Sequence, residues 1–522
     1  MDNIFNEDIQ NGLHDMGLDE YLTNDLIIDN KISAIPTTIE TLDLQFKLGN
    51  EIQKSHSQQL KSDIEQVNNG ISNISTTTPI YITISDTTNQ SQKTKNLNLF
   101  FKQSTLFKNL SIDQVVNDET ISSIISNYML YYYPHLIKTH GIDYIKYLHY
   151  ISQKIEPNNE YRAIHFAMPH LRDNNIHNHV ITSYRKTNPE KFWGYFCSDT
   201  LTPVYNGLFE KALLSNYLAC QAIRTMLDKT IERQYRHRRR IQEQENNGSL
   251  TNTFINAYID NKHEPIISYA SCSVSGHNAC TTLAGNGCYF NNVSIATSLL
   301  LKELVQSNYR CDNGNYQPHI LILDLDAIQG NGSYQITNHW KETGYINDNV
   351  KYVSFQSDEI VEPYFLSHNT ADPTKLRDID HDYCLNNYSQ YLPINLGINT
   401  SPSHNINIPH RIVDPNSDYY QNFIRYLTLF CHEAVNGFAP NFIIISLGIN
   451  LKYSAVNTDI RIDTSKLFTK EQYMTIGNII GDIFVNVPIT VIQETLSDGE
   501  DETDKVLYFL RGLRCDTSDN IN

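Results

Sequence analysis

The segment HILILDLDAIQGNG (residues 319–332) decides the fold class of this chain. It begins as a nearly continuous apolar run and ends in two acidic residues and a Gly-rich turn. A strand that is apolar throughout is buried on both faces, which is typical of a parallel sheet covered by helices. Further short apolar runs, which predict strands of the same sheet, lie at 80–85, 266–271, 351–356, 404–409, 442–448 and 488–493.

Helical spacing separates most of these predicted strands. A long helix is predicted at 207–245, and shorter ones at 291–306, 418–436, 470–485 and 502–513. Strands that alternate with helices predict parallel pairing through right-handed crossovers. We therefore predict an α/β fold, with one large three-layer domain over residues 78–515. Residues 1–77 form a polar N-terminal extension, interpreted as partly disordered or loosely packed, and residues 516–522 form a tail.

The charge of the chain limits its partners. Lys and Arg number 40 against 58 Asp and Glu, so the net charge is −18 over 522 residues. Phosphate binding depends on Lys and Arg, so nucleic acid is not expected to be the main partner. The Arg-rich run at 233–240 has two interpretations, a nucleic-acid or nuclear-localisation patch and the solvated end of a helix. The second is favoured, because cations suit a helix C-terminus.

Cysteine usage and the N-terminus indicate where the protein resides. The 9 cysteines include no CxxC pair, which argues against a zinc ribbon or a disulfide scaffold and favours a reducing compartment. The N-terminal segment is acidic and has no apolar signal-peptide core. No apolar run reaches the length of a membrane span. We expect an intracellular protein that is not secreted, with nucleus or cytoplasm left open.

Candidate functional residues follow two of the predicted strands, where ligand sites of parallel sheets lie. Asp324 and Asp326 come at the end of the strand at 319–325, and two acids at this spacing could bind a cation. The alternative is that one carboxylate caps the next helix while the other is solvated. His277 follows the strand at 266–271, where a lone His is more often a structural residue than a catalytic one, so the structural role is favoured on this segment alone.

These segments resemble the histone deacetylase and acetylpolyamine amidohydrolase superfamily. Members carry an RPPGHHA segment, a GGYCYFNN segment before a helix, and DxDxHHGNGT at a strand end. The corresponding stretches here are SVSGHNA (273–279), GNGCYFNN (285–292) and DLDAIQGNGS (324–333). THGIDYIKYL (139–148) and NFIIISLGIN (441–450) are similar to further family segments. The resemblance implies an arginase-like parallel sheet flanked by helices.

The resemblance also implies a chemistry, most of whose residues are replaced here. The family hydrolyses acetyl amides with one Zn²⁺ held by an Asp, a His and a second Asp. Asp326 matches the first zinc ligand. Ile328 stands at the zinc His and has no lone pair, and Asn450 stands at the second Asp. Because only one of the three family ligands is retained, zinc is not expected.

The groups that move protons and stabilise the oxyanion are also replaced. His277 matches the first His of the family's tandem pair, but Asn278 replaces the second, which is the general base. The family's EGGY segment falls on 492–498, where there is no Tyr to act as an oxyanion donor. Gly287 stands where the family has an aromatic wall of its acyl-lysine channel.

One structural site of the family matches better. Asp324 corresponds to the partner of the first His, and Asp324 and Ser354 both correspond to ligands of a buried monovalent cation. The resemblance therefore implies a K⁺ site. The alternative is that Asp324 bonds only His277 and backbone amides.

Two main functions remain open. The first is a histone deacetylase-like protein that is catalytically inactive and acts by binding or scaffolding, with an unknown protein partner such as a basic or acylated peptide. The second is a metal-dependent amide hydrolase, acting on acetyl-lysine or acetylpolyamine, with a rebuilt metal site. A purely structural role in assembly is a third possibility, and the oligomeric state is open.

Overall fold

Parallel strands form the centre of the molecule, and they are seen in a computed structural model. It describes residues 128, 131–163, 189–246, 265–307, 309, 317–326, 330–357, 419–449, 468–494 and 500–514, with the backbone alone at 80–84 and 403–408. The strands are β1 (Ile80–Ile84), β2 (Glu160–Arg162), β3 (Pro203–Tyr205), β4 (Ile267–Ser271), β5 (Ile320–Leu325), β6 (Val350–Ser357), β7 (Ser403–Ile408), β8 (Phe442–Leu447) and β9 (Ile489–Gln493).

Seven of the described strands form one sheet in the order β1-β4-β9-β8-β5-β6-β7. Every neighbouring pair in this sheet is parallel. β2 and β3 pair with each other in an antiparallel ribbon outside it. Strands β4, β5, β8 and β9 are buried along their whole length, which explains why they read as continuous apolar runs.

Helices fill most of the connections between these strands. They are α1 (Tyr133–Thr139), α2 (Ile142–Lys154), α3 (Leu208–Asn246), α4 (Asn292–Gln306), α5 (Asn331–Glu342), α6 (Tyr419–Glu433), α7 (Lys470–Ile483) and α8 (Glu500–Leu513). A 3₁₀ segment spans Pro189–Tyr195. Helix α7 begins with a capping box, in which Thr469 and Gln472 are bonded reciprocally.

The two faces of the sheet pack against different helices. Leu321, Leu323 and Leu325 of β5 belong to one core cluster with apolar residues of α6, α7 and α8. Side chains alternate along a strand, so Asp324 lies on the opposite face with Ile320 and Ile322. Helices α3, α4 and α5 contact strands of this sheet from outside that cluster. The structure thus confirms the predicted α/β class with a parallel sheet between helices.

The predicted bounds of the strands and of most helices agree with the structure to within a few residues. The helix predicted at 418–436 is α6 followed by a π-helical turn at Ala434–Phe438. This turn ends where Ala439 adopts a left-handed conformation and donates its N–H to Ala434 O at 2.7 Å. Helix α5 was not predicted, because its polar sequence lacks a long apolar stripe. The extension at 1–77 and the tail at 516–522 lie outside the described residues.

The described helices also bear on the membrane question. None of them combines the length and the apolar character needed to cross a bilayer.

Candidate functional site

A buried histidine and a buried aspartate meet at the carboxyl end of the sheet. His277 lies in the loop after β4, and its Nδ1 is 3.2 Å from Asp324 Oδ2. Its Nε2 is 3.9 Å from Asp326 Oδ2. Burial disfavours a charged ring, but the charges of Asp324 and Asp326 outweigh it and raise the pKa of His277 to about 10. The ring therefore carries a positive charge at neutral pH.

Asp324 is held by more than the histidine. The hydroxyl of Tyr352 in β6 donates to the same Oδ2 at 2.6 Å. A Cβ at Gly330 would overlap this carboxylate oxygen and the Tyr352 hydroxyl, and would lie 3.2 Å from His277 Nδ1. Only glycine therefore fits where the Gly-rich turn closes over the Asp324 carboxylate.

Asn278 is the residue that differs most from the chemistry implied by the resemblance. Its side chain is fully buried. Its Oδ1 accepts a hydrogen bond from the backbone N–H of Asn331 at 3.1 Å, and its Nδ2 lies 3.1 Å from His277 Nε2. The Asn278 amide N–H next to Nε2 favours the neutral His277 ring, in which Nε2 accepts a hydrogen bond. The carboxylates of Asp324 and Asp326 favour the positively charged ring instead. The charges are the larger effect. In either state an amide cannot take up a proton near pH 7.

The zinc positions give a donor set that does not fit zinc. Asp326 is buried beside His277. Ile328 and Asn450 lie outside the described residues, but an isoleucine side chain offers no ligand atom and an amide oxygen is a weak one. Within the described ranges, no group of three or more His, Cys, Asp and Glu side chains is placed to hold a metal ion. We therefore derive no reaction step through a metal.

A third buried carboxylate, Glu494, lies directly after β9. Its Oε2 accepts from the backbone N–H of Gly276 at 2.5 Å and from Asn292 Nδ2 at 3.3 Å. Its backbone oxygen accepts from the Ser275 hydroxyl. Glu494 thus anchors the segment that carries His277. Burial raises the pKa of Glu494 to about 7, although the nearby charge of His277 partly opposes this.

Several buried oxygens around Asp324 have no hydrogen-bond partner within the described part of the chain. They are Asp324 Oδ1, Ser354 Oγ and Ser446 Oγ. Both serines lie opposite Asp324 in the sheet register, Ser354 on β6 and Ser446 on β8. Buried oxygens without donors are costly unless a cation or water satisfies them. Either an ordered water molecule or a monovalent cation would satisfy these three oxygens.

The loop around Gly287 is a tight turn at the edge of the described site. Asn286 and Gly287 have φ values of 49° and 72°, as in a type I′ turn. The backbone groups of Gly285 and Cys288 bond to each other across it, at 3.0 and 2.8 Å. A Cβ at Gly287 would meet no atom within 4 Å. Gly287 has no side chain, so the residue at the position that the family resemblance assigns to an aromatic wall contributes none.

Asn291 and His140 hold the segment that follows His277 through hydrogen bonds to its backbone oxygens. Asn291 caps α4 by accepting from Ser294 N at 2.9 Å, while its Nδ2 donates to Ala279 O at 3.2 Å. Its backbone N–H donates to His140 Nε2 at 2.9 Å, and His140 Nδ1 lies 2.9 Å from Cys280 O. These bonds require the neutral Nδ1–H form of His140. Burial favours the same form, because it lowers the pKa of His140 to about 4.

Comparison with known proteins now decides the family. The family model of the histone deacetylase domain matches residues 102–494, which is most of the chain. This chain belongs to the histone deacetylase family. The matched range contains every site residue described above, including Glu494.

Individual proteins that are similar to this deacetylase-family chain share little sequence identity with it. Acetylpolyamine amidohydrolase 1 of Pseudomonas aeruginosa is 33% identical over 101 residues, which is 19% of this chain and 24% of that protein. The crystal structure of an acetylpolyamine aminohydrolase from Burkholderia pseudomallei aligns with a TM-score of 0.44 and 18% sequence identity. The alignment covers 73% of this chain and 82% of that one. The crystal structure of the HD domain of HDA15 aligns with a TM-score of 0.43 and 12% sequence identity. The alignment covers 85% of this chain and 91% of that domain.

The structure brings together residues that the sequence treated separately and adds some that it missed. His277, Asn278, Asp324 and Asp326 lie together, and Ser354 is in register with Asp324. Tyr352 and Glu494 were not predicted as site residues. A signal for Glu494 was available, since a Glu that ends an otherwise apolar strand is unusual. Tyr352 gave no such signal, because a Tyr in a strand is common.

Proposed function

We propose that this histone deacetylase-family protein does not hydrolyse amides and acts by binding, with a basic ligand such as a lysine-rich peptide. The proposal rests on Asn278. Its buried amide stands where the family resemblance implies the general base, and it cannot exchange a proton near neutral pH. A general base typically contributes about 10²–10⁴-fold to the rate, so this one replacement is severe. The residues at the zinc positions, Asp326, Ile328 and Asn450, are a poor donor set for zinc, and this also supports a protein that does not hydrolyse amides.

The charge of the site supports a basic ligand. Asp324, Asp326 and Glu494 are fully or almost fully buried, and His277 is the cation among them. With the carboxylates ionised, negative charge exceeds positive in this group. A cationic ligand offers complementary charge, whereas an acylated amine is neutral and does not.

The test combines metal content, hydrolysis and binding on the full chain. The protein is purified without chelators and its zinc content is measured by elemental analysis, before and after added Zn²⁺. We expect well below one zinc per chain and no hydrolysis of an acetyl-lysine peptide or an acetylated polyamine. A fluorescent lysine-rich peptide should bind, and its acetylated form should bind at least tenfold more weakly.

A restored variant serves as the control for sensitivity. Asn278→His, Ile328→His and Asn450→Asp together return the donors implied by the resemblance, and this variant should take up more zinc than the wild type. Stoichiometric zinc and hydrolysis in the wild type would instead support the rebuilt amide hydrolase and overturn the proposal. Equal binding of both peptides would contradict the preference for a basic ligand.

We further infer a K⁺ site at Asp324 and Ser354. The unpartnered buried oxygens at these residues are the support for it. A cation that binds only the folded state stabilises it by RT ln(1 + c/Kd), where c is the K⁺ concentration, so stability rises with that concentration. The melting temperature should therefore be higher in KCl than in tetramethylammonium chloride at equal ionic strength. Ser354→Ala should reduce this difference, and equal melting temperatures in the two salts would contradict the site.

A further inference from the structure

Glu494 has one oxygen engaged and one free. Oε2 accepts both available donors, the backbone N–H of Gly276 and the side chain of Asn292. Oε1 is buried and has no hydrogen-bond partner within the described part of the chain. The side chain is also held in place from its backbone, since Glu494 N donates to Leu447 O at 3.0 Å. A buried, fixed carboxylate with one free oxygen is a position at which a proton can be bound.

We propose that Glu494 is the proton-binding group of this buried site, which comprises His277, Asn278, Asp324, Asp326 and Glu494, and that its Oε1 takes up and releases the proton that the amide of Asn278 cannot hold. The proton comes from solvent and forms one O–H bond at Oε1, which removes one buried negative charge. On release the O–H bond breaks and the proton returns to water. The assignment concerns the free protein and does not depend on which ligand the pocket binds.

The surroundings of Glu494 place this exchange near neutral pH. Burial raises its pKa to about 7, against the opposing effects of His277 and the Gly276 N–H, while Asp324 raises it further. Among the described residues, the thiols of Cys272 and Cys288 also lie close enough to interact with Glu494, and burial raises the pKa of both thiols so that they stay neutral. The charge of the pocket therefore changes by one unit within the pH range of a cell.

Infrared spectroscopy measures this proton directly. A protonated carboxyl group has a carbonyl stretch that is distinct from the bands of a carboxylate. In pH-difference spectra of the full chain labelled with ¹³C at the glutamate carboxyl, we expect a labelled band with a midpoint near pH 7. Glu494→Gln should remove that band. Glu210→Gln is the matched control, because Glu210 is another glutamate whose pKa is raised by burial, and it should leave the band in place.

Two further measurements keep the proposal falsifiable. Asn292→Ala removes a donor that favours the carboxylate and should move the midpoint to higher pH. The folded-state pKa of Glu494 lies above its ordinary value of 4.5. Wild-type stability should therefore fall relative to Glu494→Gln as the pH rises from about 4.5 through 7. A band that depends on Glu494 but titrates below pH 5, or a band near pH 7 that persists in Glu494→Gln, would overturn the proposal.

Discussion

The hydroxyl of Tyr352 donates a hydrogen bond of 2.6 Å to Asp324 Oδ2, the same oxygen that lies 3.2 Å from His277 Nδ1. Two neighbouring strands and one loop thus meet at a single oxygen atom. Burial and the nearby Asp324 charge both raise the pKa of Tyr352, so the hydroxyl stays protonated and acts as a donor. Asp324 is therefore oriented by contacts from β6 and from the loop after β4.

The first prediction concerns this tyrosine. Tyr352→Phe removes a donor to a buried carboxylate and should lower the free energy of unfolding by about 2 kcal/mol, measured by urea denaturation. Tyr345→Phe is the matched control, because the Tyr345 hydroxyl lies 2.8 Å from the neutral hydroxyl of Ser298. Its cost should be about 1 kcal/mol. Equal losses in the two variants would show that the carboxylate adds nothing.

The second prediction concerns the turn over Asp324. Gly330→Ala places a methyl group against Asp324 and Tyr352 and should lower the free energy of unfolding by about 3 kcal/mol. Gly344→Ala separates crowding from backbone strain, since Gly344 has a φ of 71° and nothing within 4 Å of a Cβ. Strain alone should cost about 1 kcal/mol there. If Gly344→Ala lowers the free energy of unfolding more than Gly330→Ala does, the crowding of Gly330 against Asp324 and Tyr352 is not a strong constraint.

The third prediction compares two helix caps. Thr469→Ala removes an exposed cap of α7 and should cost about 1 kcal/mol in free energy of unfolding. Asn291→Ala removes the cap of α4 and also leaves Ala279 O without its buried donor. Each buried group left unsatisfied adds about 1–3 kcal/mol, so the total should reach about 3 kcal/mol. Thermal denaturation with similar shifts for both variants would argue against this difference.

The fourth prediction concerns acid. Burial lowers the folded-state pKa of His140 to about 4, below its ordinary value of 6.5. The unfolded chain therefore binds the proton first, so stability is fully present above pH 6.5 and is lost as the pH falls to about 4. His140→Gln should flatten this part of the curve of unfolding free energy against pH. Ser152→Ala, a buried change without a titrating group, should lower the whole curve evenly instead. If His140→Gln loses as much stability as the wild type between pH 6.5 and 4, His140 is not the group responsible for this loss.

Much of the fold could be predicted because the relevant signal is local. Strands β5 and β8 are buried along their whole length, so nearly all their residues are apolar, and the polar exceptions are the site residue Asp324 and its neighbour Ser446. Helix α5 escaped prediction because it packs through small and polar residues such as Asn331, Gly332 and Ser333. Its position depends on contacts with the His277 loop, which lies more than 50 residues earlier.

The amino-acid sequence was enough to predict the fold class and the family resemblance, and that resemblance in turn implies that the groups that hold zinc and accept a proton are replaced. These properties depend on residue type at a given position, and no geometry can give Ile328 a lone pair or make Asn278 a base. The tertiary structure alone decided which side chains share the buried site. Glu494 lies 217 residues from His277 along the chain, yet it binds the backbone next to it because β4 and β9 are adjacent in the sheet. Strand order, charge separation and burial arise only when the chain folds, and together they set the proton affinity of this pocket.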